Sequence, residues 1–179
     1  MTELKKRLQN NADLIAMTLP GYLQTDDSDL DLLYKSMRYS ALAEGKRIRP
    51  FLVMEFCRLF GGNDAAALPF ACAIECVHAS SLIHDDMPCM DNDDLRRGMP
   101  TNHKKFGEAI ALLAGDSLLT HAFECASMSE NNPAITVKAI NAIARAARTA
   151  KIPFILLRIL LKINTGLTLP SRIYFYQSV

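Results

Sequence analysis

The sequence predicts an all-α fold, and three observations carry the prediction. Ala, Leu and Ile are plentiful while Trp is absent and Phe and Tyr are modest, a balance that favours helices over strands. No segment alternates apolar and polar residues for long, whereas several repeat at helical spacing. Two stretches, 65–86 and 104–129, are apolar almost all round, as helices are when other helices surround them. The chain has 179 residues, half of them hydrophobic and 22% charged, enough for one domain with a core and unlike a disordered segment. A net charge of +1 gives no footprint for nucleic acid or a charged membrane surface.

The elements follow in order. Residues 2–19 read as a helix with Leu4, Leu8, Leu14 and Ile15 on its apolar side, ended or kinked at Pro20-Gly21. Ser28 and Asp31 resemble a capping box opening a helix with Leu30, Leu33, Tyr34 and Met37, which Gly45 stops. Arg49-Pro50 restarts a helix, with Pro placed in its first turn, and Gly61-Gly62 ends it. Asn63 or Asp64 caps the apolar stretch 65–86. A loop with Pro88, Gly98 and Pro100 leads to 104–129, interrupted only by Gly107 and Gly115, and Asn131-Asn132-Pro133 opens a helix near 133–150. From about Thr149 the pattern changes: no acid follows Glu130, and aromatic and β-branched residues enter. The apolar run FILLRILLKI (154–163) is too short and too charged to span a bilayer, so no transmembrane segment is expected.

Five cysteines, an odd number without zinc spacing, and an N-terminus lacking the apolar core of a secretion signal read as reduced thiols. No transit peptide is seen, so a cytoplasmic location is expected, with plastid relatives possible. Cys72 and Cys76, four apart, read as small buried hydrophobes or, more sharply, as a subunit contact.

The chemistry gathers in SSLIHDDMPCMDNDDLRRG, residues 80–98. On a helix over 65–86, His78, Ser81, Asp85 and Asp86 share a broad face. Adjacent carboxylates repel, and a helix C-terminus already favours positive charge. Acids solvated in a loop are one reading. The density of Asp91, Asp93 and Asp94 directly behind them favours another, a hard divalent cation such as Mg²⁺ that shares its shell with substrate phosphates. Arg96-Arg97, and Lys46, Arg47 and Arg49 of GKRIRP, supply cationic groups suited to phosphate oxygens, though either run alone is also an ordinary solvated face.

Taken together, GKRIRP, the segment from His78 through Arg97-Gly98, and FGEAIALLAGDSLL resemble the trans-isoprenyl diphosphate synthases of short-chain farnesyl and geranylgeranyl type, over roughly residues 30–130. The resemblance implies the N-terminal half of an isoprenoid-synthase helical bundle, with residues 1–148 as the N-terminal part of a polyprenyl synthetase domain and 149–179 as an atypical tail. It implies that Asp85 and Asp91 bind Mg²⁺ bridging an allylic diphosphate, with Asp86 supporting and Arg96 contacting that diphosphate. Lys46, Arg49, His78 and Arg97 would hold isopentenyl diphosphate, and the partners would be these two substrates and a second subunit, identical or homologous. Small residues at Ser80 and Ser81 imply a product longer than farnesyl, unless Met87 or Phe56 blocks the tunnel.

The second aspartate-rich motif of the family is absent, so the chain reads as a truncated or frame-shifted product whose apolar helices would expose a large surface. Two alternatives stand beside the enzyme reading. One is a non-catalytic partner subunit, since some such subunits carry CxxxC pairs like Cys72–Cys76. The other is an HD-type phosphohydrolase built on His84-Asp85, which leaves GKRIRP and LRRG unexplained.

Overall fold

A computed structural model of the chain describes residues 2–147; the expectations for the 149–179 tail fall outside them. The all-α prediction holds. Among the described residues are α1 (Glu3–Tyr22), α2 (Asp31–Ala41), α3 (Ile48–Leu59), α4 (Asp64–Asp85), α5 (Asn102–Phe106), α6 (Glu108–Ser127) and α7 (Pro133–Ala147), with a small hairpin of β1 (Leu95–Arg96) and β2 (Met99–Pro100).

α4 is the central element. It packs most extensively on α6 and is flanked by α3, with α2 covering both α4 and α6, α1 lying on α3 and α4, and α7 closing on α6. As expected of a helix apolar on nearly every face, α4 is buried from Ala67 through Val77 almost without interruption. Small side chains explain the close fit. Ala71, Cys72, Ala73 and Cys76 of α4, and Ala111, Ala114, Ala122, Cys125 and Ala126 of α6, are all inaccessible to solvent. α6 does show Leu112 and Leu113 on its outer side, each about half exposed (48% and 51%). By length and composition α4 and α6 are apolar enough to cross a bilayer, but 72% of the α4 window and 44% of the α6 window is buried inside this fold.

Several boundaries differ from the sequence reading, each for a local reason. α1 continues through Pro20 to Tyr22, because proline in a last turn forfeits little, and the Leu23 N–H closes on the Pro20 carbonyl (3.2 Å). Its buried stripe is Ile15, Leu19 and Leu23, whereas Leu4 is 63% exposed. The capping box is replaced by Asp27, whose carboxylate accepts from the Asp29 N–H (2.9 Å) and opens a 3-10 turn over Ser28–Leu30. α2 ends at Ala41, well before Gly45. Asn63 caps α4 as predicted, its side chain accepting from the Ala66 N–H (2.8 Å). The helix expected over 104–129 is two helices, split where Gly107 takes φ +85°. Cys72 and Cys76 are buried at α4's centre, so the subunit-contact reading of the pair is corrected in favour of core packing.

Candidate active site

The end of α4 builds the site from its own backbone outward. Asp86 follows the last helical residue, and its N–H still bonds the Leu82 carbonyl (3.2 Å). The chain then reverses. The Asn92 N–H closes on the Met87 carbonyl (3.1 Å) with Asn92 at φ +54°, a conformation asparagine tolerates better than most residues. The Asp91 N–H bonds the Asp85 carbonyl (2.9 Å), which returns Asp91 to the side of Asp85.

The two halves of the Asp85-Asp86 pair part company. Asp86 is only 3% exposed and is gripped by the Arg96 guanidinium, whose Nε lies 2.9 and 2.8 Å from the two carboxylate oxygens while Nη2 also bonds Oδ1. The expected repulsion is therefore relieved on one side by an arginine fork. Asp85 remains half-buried and Asp91 exposed. Among the described residues no three His, Cys, Asp or Glu side chains converge closely enough to enclose an ion. The backbone bond leaves Asp85 and Asp91, with Asp86 occupied elsewhere, as the carboxylates of this turn that could serve as oxygen donors. That donor set fits a hard cation which completes its coordination with waters and phosphate oxygens.

Arg96 and Arg97 are aimed by the β1–β2 hairpin, with Leu95 opposite Pro100 and Arg96 opposite Met99. Its central residues, Arg97 and Gly98, have φ +54° and +80°, the pattern of a type I′ turn. Arg96 turns in to Asp86. Arg97 reaches the other way, across Gly45, and its Nη1 donates to the Glu44 carbonyl. Gly45 is needed for this approach, since a Cβ there would sit 2.3 Å from Arg97 Nη1. The hairpin is tied to the bundle through Thr101, which bonds the Asp93 and Asp94 carbonyls, and Tyr39, which bonds the Pro100 carbonyl (2.8 Å). Asn102, bonded to Ser36 and Ser40, completes the anchor.

On the facing side, Arg49 in the first turn of α3 points Nη1 at His78 Nε2 (3.3 Å). Arginine can only donate, so Nε2 accepts and the ring proton sits on Nδ1. Burial, and after it repulsion from Arg49, Arg97, Arg47 and Arg96, together lower the His78 pKa to about 4. Four guanidinium groups thus surround one neutral imidazole. Two of them are neutralised locally, Arg96 by Asp86 and Arg47 by Glu75. Arg49 and Lys46 have no acid partner among the described residues, and Arg49 Nε is buried without a hydrogen bond. The structure brings Arg49, His78, Arg96 and Arg97 together beside Asp85, Asp86 and Asp91, while the Lys46 side chain stands exposed next to them.

Sequence reasoning missed the Arg47–Glu75 pair. Its signal was available: Glu75 is the only acid between Asp64 and Asp85 in a helix otherwise apolar there, and a buried carboxylate demands a cation. His84, considered only in the phosphohydrolase alternative, has its ring where a Cβ on Gly115 would be, 2.1 Å from Nε2. Ser80 is buried and Ser81 bonds the His78 carbonyl (2.8 Å).

The polyprenyl synthetase family model matches residues 30–150, the span that contains every one of these groups. The chain belongs to that family. Polyprenyl synthetases also stand among its similar sequences and folds. It is 56% identical over 115 residues to the chloroplastic geranylgeranyl pyrophosphate synthase 7 of Arabidopsis thaliana, covering 64% of this chain and 33% of that protein. It is 54% identical over 121 residues to the chloroplastic heterodimeric geranylgeranyl pyrophosphate synthase large subunit 1 of the same plant (65% and 33%). It is 54% identical over 118 residues to the farnesyl diphosphate synthase of Geobacillus stearothermophilus (64% and 40%). The fold superposes on the crystal structure of an FPP/GFPP synthase from Zymomonas mobilis with a TM-score of 0.78 at 38% identity, over 91% of this chain and 66% of that one. The chain spans about a third of the length of the plant relatives it matches. The chloroplast assignment of those relatives overturns the cytoplasmic expectation; a missing secretory core bears on one route only and says nothing about delivery to a plastid.

Proposed function

We propose that this polyprenyl synthetase chain carries the substrate-binding half of a Mg²⁺-dependent head-to-tail condensation of isopentenyl diphosphate with an allylic diphosphate. The observation that carries the reading is the juxtaposition of two kinds of charge at one end of an apolar helix. The carboxylates Asp85 and Asp91 are joined there by a backbone bond, while Arg49, which with Lys46 has no acid partner among the described residues, meets neutral His78, with Arg97 close enough to repel it.

In this reading Asp85 and Asp91 hold Mg²⁺, and Asp86 holds Arg96 rigid beside the allylic diphosphate. When bound, the metal supplies positive charge against the departing diphosphate. Arg96 adds a fixed donor to the same group, electrostatic stabilisation that needs no reorganisation as the allylic carbon–oxygen bond breaks. Lys46, Arg49, His78 and Arg97 position isopentenyl diphosphate so that its double bond faces the allylic carbon. A new carbon–carbon bond forms there, and a proton leaves to the released diphosphate. The apolar faces of α4 and its neighbours keep water from the cation. The small side chains of Ser80 and Ser81 leave room for a product of geranylgeranyl length, in a plastid like that of the plant relatives. The chain works with a second subunit, a copy of itself or a homologue.

The test is binding and turnover with labelled isopentenyl diphosphate, farnesyl diphosphate and Mg²⁺. Asp85→Ala with Asp91→Ala is expected to abolish magnesium-dependent allylic diphosphate binding in folded protein; unchanged affinity overturns the reading. Labelled C20 product supports catalysis by the chain itself. Product that changes only when an active homologue is mixed in supports the partner-subunit role.

A further inference from the structure

Arg47 lies in the middle of GKRIRP yet is the one cation there that cannot face a ligand. It is 8% exposed, and its Nη1 meets Oε1 of Glu75, itself 5% exposed, at 2.5 Å. Its Nη2 donates to the Ala43 carbonyl (2.7 Å). Its backbone takes φ 45°, ψ 38°, a left-handed conformation costly for a side chain with a Cβ and maintained only where surroundings fix it. That residue turns the chain from the 42–46 loop into α3, so its dihedrals set the directions of Lys46 before it and Arg49 after it. Glu75 lies three residues before His78 on α4, hence on the same side of the helix.

We infer that Glu75 is a positioning residue: through Arg47 it locks the 43–49 segment in the geometry that presents Lys46 and Arg49 to one anionic group alongside His78. This rests on the reading of Lys46 and Arg49 as diphosphate ligands. Glu75 acts in two ways. It holds the guanidinium whose second arm bonds the Ala43 carbonyl, closing the loop on itself. It also cancels one of the four arginine charges around His78, which leaves Arg49 as the guanidinium beside His78 that neither an acid nor a backbone carbonyl has claimed. A pair that served the core alone would not need its cation in a left-handed backbone beside two cations that have no acid partner among the described residues.

The experiment uses the full chain and three readouts: affinity for isopentenyl diphosphate without magnesium, magnesium-dependent affinity for farnesyl diphosphate, and amide hydrogen exchange across residues 44–49. Glu75→Gln is expected to weaken isopentenyl diphosphate binding tenfold or more and to speed exchange in 44–49 at least tenfold, with farnesyl diphosphate affinity within twofold of the unmodified chain. Should Glu75→Gln not fold, the double variant Arg47→Gln/Glu75→Gln buries no unpaired charge and is expected to show the same selective loss. Equal losses for both ligands, or a loosened loop with unchanged isopentenyl diphosphate affinity, overturn the inference. If Lys46→Ala with Arg49→Ala leaves that affinity unchanged in the parent chain, the diphosphate reading of the loop itself fails, and the role of Glu75 falls with it.

Discussion

α4 meets α6 through buried alanines and cysteines such as Ala71, Cys72 and Cys76; from Glu75 to Asp86, other side chains of the same stretch meet arginines of the 47–49 segment and of the hairpin. In the first region volume is the controlling quantity. Cys76 and Cys125 even share a hydrogen bond there, which pushes the Cys76 thiol up and draws Cys125 down, while burial pushes Cys72 up to about 12. In the second region the controlling quantity is which carboxylate each guanidinium finds. Asp86 and Glu75 take one arginine each, Asp85 and Asp91 take none among the described residues, and that asymmetry is what separates structure from candidate chemistry. A packed middle tolerates hydrophobic exchange of equal size; a charged end tolerates changes of size but not the loss of a partner.

The largest expected effect comes from removing a partner at the charged end. Glu75→Ala leaves Arg47 buried without compensation and should cost about 3–5 kcal/mol, read from the urea midpoint at constant slope. Replacing both by apolar residues of similar volume, Arg47→Met with Glu75→Leu, should restore most of that loss. If the double variant is as unstable as the single, volume rather than charge rules this end too, and the contrast disappears.

Overfilling the middle should cost less. Ala122→Leu inserts bulk at a fully buried position on α6 and is expected to destabilise by about 1–3 kcal/mol. Asn63→Ala removes the cap at the start of α4, an exposed bond far from both regions, for about 1 kcal/mol. An Asn63 effect larger than the Ala122 effect would mean that the α4–α6 contact is looser than its burial implies.

The same contrast decides what the sequence could disclose. The helices, their order and the centrality of α4 were legible because apolar periodicity reports burial directly, and Asn63 was legible because capping depends on one residue and its near neighbours. Pro20 and Gly107 were harder, since whether a helix bends or stops depends on what packs beside the break. At the site, the motif residues were legible as a set but not their pairing. Nothing in the order Asp85-Asp86 says that the second turns inward to Arg96, because the type I′ turn that aims Arg96 depends on Tyr39, Thr101 and Asn102 holding the hairpin. Arg47 and Arg49 look alike in GKRIRP, and only the left-handed backbone at Arg47 sends one to Glu75 and the other to His78.

The finest effect sharpens the charged end itself. His78 titrates near 4 in the folded chain against 6.5 ordinarily, because it is buried among guanidinium groups. Between pH 6.5 and 4 the unfolded chain therefore binds more protons than the folded one, so its contribution to stability is intact above pH 6.5 and is lost as pH falls toward 4. Following the His78 ring signals by NMR should show a neutral imidazole down to about pH 4. Arg49→Gln removes the largest charge repulsion on the ring and should move the titration upward. Inorganic pyrophosphate should do the same in the unmodified chain, because an anion seated between Arg49 and Lys46 offsets the repulsion that keeps the ring neutral. A His78 titration that responds to Arg49→Gln but ignores pyrophosphate would mean that the anion binds elsewhere, leaving the arginine cluster real but the diphosphate site misplaced.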